Sequence, residues 1–168
     1  MDERHENEQY FFDEPTIELL ADLLSGFEAP CCLCAPMVAR AVAERGRTVT
    51  LLDLDERFAD VPGFRHFDLT QPEWISDEFD VLLCDPPFFN VSLSRLSDTL
   101  FQLTHHDASR PVLVTYLERR ESSLLGALGR FDLRPTGFLP GYRTVMECDR
   151  NAIALYSNLP SDRLAALA

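Results

Sequence analysis

The chain has 168 residues, of which 46% are hydrophobic, and its 28 acidic and 15 basic residues give a net charge of −13. This length and apolar content predict a single folded domain and exclude a disordered chain. Every basic residue is an arginine. The acidic excess opposes binding to phosphate backbones and favours a basic partner or a small-molecule substrate. A high-salt or GC-rich host would impose a similar composition, so charge is weak support for any partner.

The first residues predict neither a signal peptide nor a membrane anchor. MDERHENEQ is charged, with no apolar run behind it, and no apolar stretch of the sequence is long enough to span a bilayer. We therefore expect a cytoplasmic protein with no membrane association. Residues 1–9 are predicted to be a flexible acidic tail, residues 10–160 the folded domain and residues 161–168 a C-terminal tail. The five cysteines fit neither zinc-site nor disulfide spacing, so we expect buried, reduced thiols and no metal site.

Helical and strand patterns alternate along the chain. Apolar spacing predicts helices over residues 15–27, 37–45, 93–103 and 122–128, with Asp13 capping the first and Gly46 ending the second. Short apolar runs predict strands over residues 29–33, 49–52, 64–67, 80–84, 111–116, 134–138 and 153–156. This alternation predicts an α/β fold around a mostly parallel sheet, with the last two strands forming an antiparallel hairpin at one edge.

Three successive predicted strands end on an aspartate: Asp53, Asp68 and Asp85. Ligands of open parallel sheets bind beyond the carboxyl ends of the strands, so these acids are expected to share a site. An acid after the second strand suits both hydroxyls of a ribose, and one after the third suits the exocyclic amine of adenine. We therefore predict a nucleoside held by Asp53 and Asp68. Asp55 competes with Asp53 for the ribose, and any of these acids taken alone could be a solvated cap.

The glycine fingerprint of dinucleotide sites is missing after the first strand. Its absence argues against a pyrophosphate on a glycine turn, and therefore against NAD and FAD. S-adenosylmethionine has no phosphate and stays compatible with this sequence. Phe11 and Phe12, just before the first helix, are predicted to wall the sulfonium of such a cofactor, with Thr16 near its carboxylate. The alternative is a hydrophobic staple over that helix.

The sharpest chemical signal is Asp85-Pro86-Pro87-Phe88, directly after an apolar strand. Prolines have a fixed φ and no N–H, so the carbonyls of this loop are left free for a ligand. A carboxylate and a free carbonyl accept the hydrogens of an amino group, while an aromatic ring clamps the molecule that carries it. Holding a nitrogen lone pair in line is what methyl transfer requires. These four residues predict an N-methyltransferase.

The order of YFFDEPT, CCLCAP, LLDLDERF, FDLTQP and FDVLLCDPPFF resembles the N6-adenine methyltransferase-like family from about Gln9 to Asn158. That family includes the elongation-factor-1-alpha lysine methyltransferases and, more distantly, zinc-finger ribosomal RNA adenine methyltransferases. The resemblance implies a class I, Rossmann-like methyltransferase domain over residues 10–160 that uses S-adenosylmethionine. It assigns catalysis to Asp85, Pro86, Pro87 and Phe88, and cofactor binding to Phe11, Phe12, Thr16, Ala35, Pro36, Asp53 and Asp68.

The acceptor of the methyl group is the open part of this interpretation. The chain has no zinc-finger segment and differs from the family over residues 140–143. The Asp85 loop fits adenine chemistry slightly better, whereas the net charge, the length and the absence of a basic stripe fit a protein substrate better. We expect a protein lysine to be the acceptor. The alternatives are adenine-N6 in RNA or DNA, and a degenerate binding module without activity.

Overall fold

A computed structural model describes residues 2–145 and 151–167 of the chain. Its strands are β1 (Pro30–Leu33), β2 (Thr50–Asp53), β3 (Phe64–His66), β4 (Val81–Cys84), β5 (Val112–Leu117), β6 (Arg134–Pro135) and β7 (Ile153–Ser157). Its α-helices are α1 (Glu14–Ser25), α2 (Pro36–Glu44), α3 (Leu93–Leu103) and α4 (Glu121–Ala127). No helix in these two ranges is both long and apolar enough to cross a membrane.

All seven strands belong to one sheet, in the order β3-β2-β1-β4-β5-β7-β6. The first five pair in parallel, and β7 runs antiparallel between β5 and β6. The predicted α/β class and the antiparallel edge are confirmed. The order of the strands reverses between β1 and β4, so the carboxyl ends of these two strands and of β2 flank the position where such sheets bind ligands.

Local sequence explains where the first two helices begin and end. Asp13 caps α1, because its carboxylate accepts a hydrogen bond of 3.0 Å from the backbone N–H of Thr16, and Pro15 stands in the first turn. Gly46 follows the end of α2 with φ of 72°, a conformation that costs glycine little. Both predicted helix ends are confirmed at these residues.

An apolar core lies on each face of the sheet. Neighbouring residues of β1 point to opposite faces, so Cys31 packs with the α3 and α4 side and Cys32 with the α1 and α2 side. Cys31, Cys32 and Cys84 are buried, as predicted, whereas Cys34 is partly exposed. The thiols of all four are free. The fifth cysteine, Cys148, lies outside the described residues.

The last hairpin is shorter than the prediction of residues 134–138. Only Arg134 and Pro135 pair in register with β7. Thr136 still donates to the carbonyl of Leu155, at 3.0 Å. Gly137 has φ of 83°, outside the extended region that a strand requires, so the regular register is interrupted there. The backbone N–H of Leu155 then donates to the carbonyl of Phe138 at 3.1 Å, so pairing with β7 continues beyond the interruption.

Candidate active site

A cavity of about 490 Å³ opens at the carboxyl ends of β1, β2 and β4. This volume is in the range of small-molecule sites. Most of the predicted site residues line the cavity and are thereby brought together: Phe11, Pro36, Asp53, Asp68, Asp85, Pro86, Pro87 and Phe88. The position at the reversal of strand order is the one expected for a ligand in this class of sheet.

Phe12, Thr16 and Ala35, which were also predicted to contact the cofactor, are placed beneath the cavity wall. All three are buried, and none of them lines the cavity. Ala35 precedes the first turn of α2. Phe12 and Thr16 instead contact the segment 141–143, which reaches the cavity from the far end of the chain.

Asp53 is the last residue of β2, and only 6% of it is exposed. One of its carboxylate oxygens, Oδ1, accepts a hydrogen bond of 2.8 Å from the backbone N–H of Asp55. Burial raises the pKa of Asp53 to about 6, and the charge of Asp55 acts in the same direction, against the lowering effect of backbone N–H groups. No side chain of the described residues donates to its second oxygen, Oδ2, which is therefore available to a hydroxyl of a ligand.

Asp55 also reaches the cavity, but its carboxylate is already occupied by protein groups. Arg57 donates to it at 2.6 Å and Gln9 at 3.0 Å. Although burial opposes ionisation, the hydrogen bonds from Arg57 and Gln9 lower the pKa of Asp55 to about 2. Of the two competitors for a ribose, Asp53 is the one with a free oxygen.

Asp68 follows β3. It both caps a local turn and lines the cavity, the two roles that the sequence left as alternatives. Its Oδ1 accepts the backbone N–H of Thr70 at 2.8 Å and the hydroxyl of Thr70 at 2.6 Å, which closes a local turn. These hydrogen bonds lower the pKa of Asp68. Since the residue also lines the cavity, an ionised oxygen remains for a donor such as an amine.

Asp85 follows β4, and its backbone N–H donates to the carbonyl of Leu33 at 3.0 Å. Two hydroxyl groups converge on one carboxylate oxygen, Oδ1: that of Thr115 from β5, and that of Tyr142 at 2.7 Å. Burial raises the pKa of Asp85 to about 7, and the charge of Asp53 adds to this effect, while the two hydroxyl donors oppose it. The carboxyl group is therefore poised to change its protonation state near neutral pH.

The loop after Asp85 is held from both sides. The carbonyl of Phe88 accepts from the hydroxyl of Tyr116 at 3.2 Å and from Arg120 at 3.1 Å. From the N-terminal segment, the carboxylate of Glu8 accepts the backbone N–H groups of Phe89 and Asn90, at 3.1 and 2.7 Å. The ring of Phe88 meets the Tyr116 ring edge-on at 5.4 Å. The loop is thus held by groups of the protein on both sides.

Sequence reasoning missed several groups of this site. Tyr142 and Thr115 bind Asp85, while Glu8 and Gln9 bring the N-terminal segment to the cavity rim. None of them follows an apolar run at a strand end, which was the signal that led to the aspartates. The one available hint was the segment 140–143, which the sequence analysis interpreted as different from the resembled family.

A family model described as "Probable N6-adenine methyltransferase" matches residues 3–161 of the chain. A search of curated proteins finds no match. Among solved structures, the chain is similar to a candidate RNA methyltransferase from Pyrococcus horikoshii, with 15% identity, a TM-score of 0.64, and coverage of 93% of this chain and 88% of that one.

Two further solved structures have related folds. Magnesium protoporphyrin IX methyltransferase from Synechocystis, solved with bound S-adenosylmethionine, is 15% identical, with a TM-score of 0.57 and coverage of 86% of this chain and 77% of that one. A chain of the Mtq2–Trm112 complex from E. cuniculi, responsible for methylation of the eRF1 translation termination factor, is 14% identical, with a TM-score of 0.55 and coverage of 89% and 97%. At these identities the likeness concerns the fold, and it confirms the predicted class I methyltransferase architecture.

Proposed function

Because the chain belongs to the family of probable N6-adenine methyltransferases, and is thus an S-adenosylmethionine-dependent methyltransferase, we propose that its acceptor is the side-chain amine of a protein lysine. The predicted family, enzyme class and cofactor are confirmed. The narrower resemblance to the elongation-factor-1-alpha lysine methyltransferases stays a prediction. The observation that carries the proposal is Asp85, a cavity carboxyl group with a pKa of about 7 and one oxygen left without a protein donor.

The residues of the cavity fit S-adenosylmethionine. The free oxygen of Asp53 suits the ribose hydroxyls, and the ionised carboxylate of Asp68 suits the adenine amine. The ring of Phe11, in the cavity wall, suits a sulfonium, which gains about 0.5–2 kcal/mol beside an aromatic face. When bound, this cofactor supplies an electrophilic methyl group.

On the acceptor side, Asp85 and the loop that follows it hold and prepare the nitrogen. The free oxygen of Asp85 accepts one N–H of the amine, and the carbonyl of Pro86, which receives no hydrogen bond from the described residues, accepts another. The cofactor would supply the methyl carbon for a bond to the amine nitrogen, and the bonding pair of its carbon–sulfur bond would stay on sulfur. The products would be S-adenosylhomocysteine and a methylated ammonium, which carries the positive charge that the sulfonium loses.

A lysine ammonium must lose a proton before it can react, and Asp85 is suited to take it and pass it to solvent. The ionised carboxylate then accepts the N–H of the neutral amine. A free lysine has a pKa of about 10.4. Aromatic rings lower that pKa by disfavouring the charged form, whereas the carboxylates of the cavity raise it, so the ammonium needs a base to take its proton. An ordinary aspartate is too weak a base for this transfer. With its pKa raised to about 7, Asp85 is closer to the value at which general bases work best at neutral pH.

The charge around the cavity favours a cationic side chain over a phosphate backbone. Carboxylates of Glu8, Asp53, Asp55 and Asp68 line the cavity or its rim, and the whole chain carries −13. Such a field raises the local concentration of lysine-bearing segments and repels nucleic acid.

One observation favours the second candidate, an adenine in nucleic acid. The exposed ring of Phe89, directly after the Asp85–Phe88 loop, has the guanidinium groups of Arg119 and Arg120 at 6.0 and 5.8 Å. Neither arginine forms an ion pair within the described residues. An aromatic ring beside arginines can stack a base and hold its phosphate, so this patch is the feature to mutate if the acceptor proves to be nucleic acid.

Labelling of a host lysate separates the candidates. The protein and methyl-labelled S-adenosylmethionine are incubated with the lysate, and portions are then treated with protease or nuclease. We expect protease to release the label as methyl-lysine and nuclease to leave it in place, with no labelling by Asp85→Ala. If nuclease instead released the label as N6-methyladenine, the acceptor would be adenine in nucleic acid and not a protein lysine. A protein that neither labels the lysate nor binds the cofactor in calorimetry would be the binding module.

A further inference from the structure

Asp85 is held unequally at its two oxygens. The hydroxyl groups of Thr115 and Tyr142 both donate to Oδ1, from 30 and 57 residues away in the sequence. No hydrogen bond from the described residues reaches Oδ2. Because an ionised carboxylate accepts at both oxygens, this arrangement leaves one oxygen of Asp85 for a ligand.

Tyr142 is brought to Asp85 by the short segment 141–143, which pairs with the chain before α1. Asp13 donates its backbone N–H to the carbonyl of Gly141 at 2.9 Å, and Arg143 donates to that of Phe11 at 2.9 Å. The ring of Phe12 packs against the ring of Tyr142, with centroids 4.8 Å apart. Two distant parts of the sequence are therefore joined just below the cavity.

The pairing of residues 141–143 with residues 11–13, called the join below, depends on a glycine and on a hydroxyl group. A Cβ at Gly141 would lie 2.1 Å from Oδ2 of Asp13, so no other residue fits there without movement of Asp13. The backbone N–H of Gly141 donates to the hydroxyl of buried Thr16 at 2.9 Å. Thr16 and Phe12, which lie outside the cavity wall, thus act on the segment that carries Tyr142.

Tyr142 is partly buried, and the two fully buried tyrosines of the described residues have different partners. Tyr116 donates to the carbonyl of Phe88, and Tyr156 donates to Glu121 at 3.1 Å. Tyr142 has Asp85 as its hydrogen-bond acceptor and lines the cavity. Burial, reinforced by the charge of Asp85, raises the pKa of Tyr142 well above its ordinary value. The phenol therefore stays protonated and remains a donor.

We propose that Tyr142 and Thr115 are positioning residues, which bind Oδ1 of Asp85 and so direct Oδ2 toward the amine of the acceptor. The inference rests on the proposed function, since it concerns the same carboxylate. It assigns a role to residues 141–143, which lie in the segment interpreted from the sequence as different from the resembled family. Hydrogen bonds to the ionised carboxylate also favour that form. Removing one donor is expected to make Asp85 harder to ionise as well as less well oriented.

The other titratable groups around Asp85 do not obscure the expected change in its pKa. Asp53 is the charged neighbour that raises the pKa of Asp85. The thiols of Cys34 and Cys84 also lie close, but burial raises their pKa values well above the ordinary value. Both thiols stay neutral near pH 7. A change of protonation at the site near that pH therefore reports the carboxyl groups of Asp53 and Asp85.

Tyr142→Phe tests the proposal, because it removes the hydroxyl and keeps the ring that packs on Phe12. Carboxyl titration by carbon-13 NMR, with Asp85→Asn to identify the signal, is expected to place the pKa of Asp85 about one unit higher in the variant. The acidic limb of the pH profile for labelling of host lysate should move upward by the same amount. Tyr156→Phe loses a hydroxyl outside the site and should change neither measurement.

Thr115 supplies the second pair of variants, should Tyr142→Phe fail to fold. Thr115→Ser keeps the donor and is expected to titrate like the wild type, whereas Thr115→Val should raise the pKa of Asp85. An unchanged pKa in Tyr142→Phe or Thr115→Val would overturn the proposal, as would a loss of rate that is equal at every pH. Cofactor binding and labelling by the wild type are measured beside them, so that failure of the proposed function is recognised separately.

Discussion

The carboxylates in the two halves of the cavity are held in position by different kinds of hydrogen-bond partner. On the β2–β3 side, the protein partners that fix Asp53 and Asp68 come from two residues further along the chain. On the β4–β5 side, Asp85 is fixed by hydroxyl groups 30 and 57 residues away. The proposed cofactor half is therefore built from local turns, and the proposed acceptor half from long-range packing.

This difference has a physical consequence for the two halves. Local turns form with the strand that precedes them, so their carboxylates sit in place at little cost in chain entropy. Long-range partners depend on the whole fold, and they allow burial of a carboxyl group deep enough to raise its pKa. We expect damage to the first half to lower cofactor affinity, and damage to the second half to lower turnover and to change stability.

The largest effect that tests this division is expected for Asp85→Ala. Loss of the carboxylate removes both the acceptor of the amine N–H and the proposed base, so turnover should fall by about 1,000-fold. Affinity for S-adenosylmethionine in calorimetry should change by less than about threefold, because the contacts proposed for the ribose and the adenine lie elsewhere. Asp60→Ala, at an exposed aspartate paired with Arg40, serves as the control. Unchanged turnover would refute the role of Asp85.

Asp85→Asn is expected to separate stability from activity. The folded-state pKa of about 7 lies above the unfolded value of about 3.9, so the folded protein binds more protons between these values. The free energy of unfolding of the wild type therefore falls as pH rises through this window. The amide does not titrate, so the variant should escape that fall.

Urea denaturation at pH 5 and pH 8 measures this effect. Relative to the wild type, Asp85→Asn should gain about 2 kcal/mol on going from pH 5 to pH 8, a value reduced for the partial exposure of the site. Asp53→Asn should behave with the same sign but complete its change near pH 6, since the pKa of Asp53 is raised to about 6. A stability difference that does not vary with pH would contradict the raised pKa.

Asp53→Ala tests the local half. Removing the free oxygen proposed for the ribose should weaken binding of S-adenosylmethionine by about 10- to 30-fold, the value of one hydrogen bond to a charged group. Asp55→Ala is the matched variant. Because its carboxylate is occupied by Arg57 and Gln9, we expect a smaller loss there. Equal losses of affinity in the two variants would mean that Asp53 is not preferred over Asp55 as the partner of the ribose.

The same division explains what the sequence could predict. Apolar runs that end on an acid predict both the strand and a candidate site residue, and Asp53, Asp68 and Asp85 indeed line one cavity at the carboxyl edge of the sheet. The partner of Asp85 at residue 142 has no local signal, because it depends on contacts between residues 11–16 and 141–143. The roles predicted for Phe12 and Thr16 came from their place in a motif, and their position beneath the cavity wall depends on those same long-range contacts.

The smallest expected effect concerns this long-range join. Gly141→Ala would place a Cβ 2.1 Å from Oδ2 of Asp13. The same carboxylate caps α1 through Oδ1, so a shift of Asp13 away from the Cβ should weaken that cap. We expect a loss of about 1–2 kcal/mol in the free energy of unfolding. Because the segment carrying Tyr142 must also move, turnover should fall severalfold while affinity for S-adenosylmethionine stays within about twofold.

Gly126→Ala is the control for that variant. Gly126 lies in α4, and a Cβ there meets no atom within 4 Å, so alanine should stabilise the protein by up to about 1 kcal/mol through helix propensity. The comparison of the two variants distinguishes a close-packed join from a general effect of replacing glycine. If Gly141→Ala kept wild-type stability and turnover, the acceptor half would not depend on residues 141–143. The proposed contrast between a locally built half and a half built by long-range contacts would then be wrong for these residues.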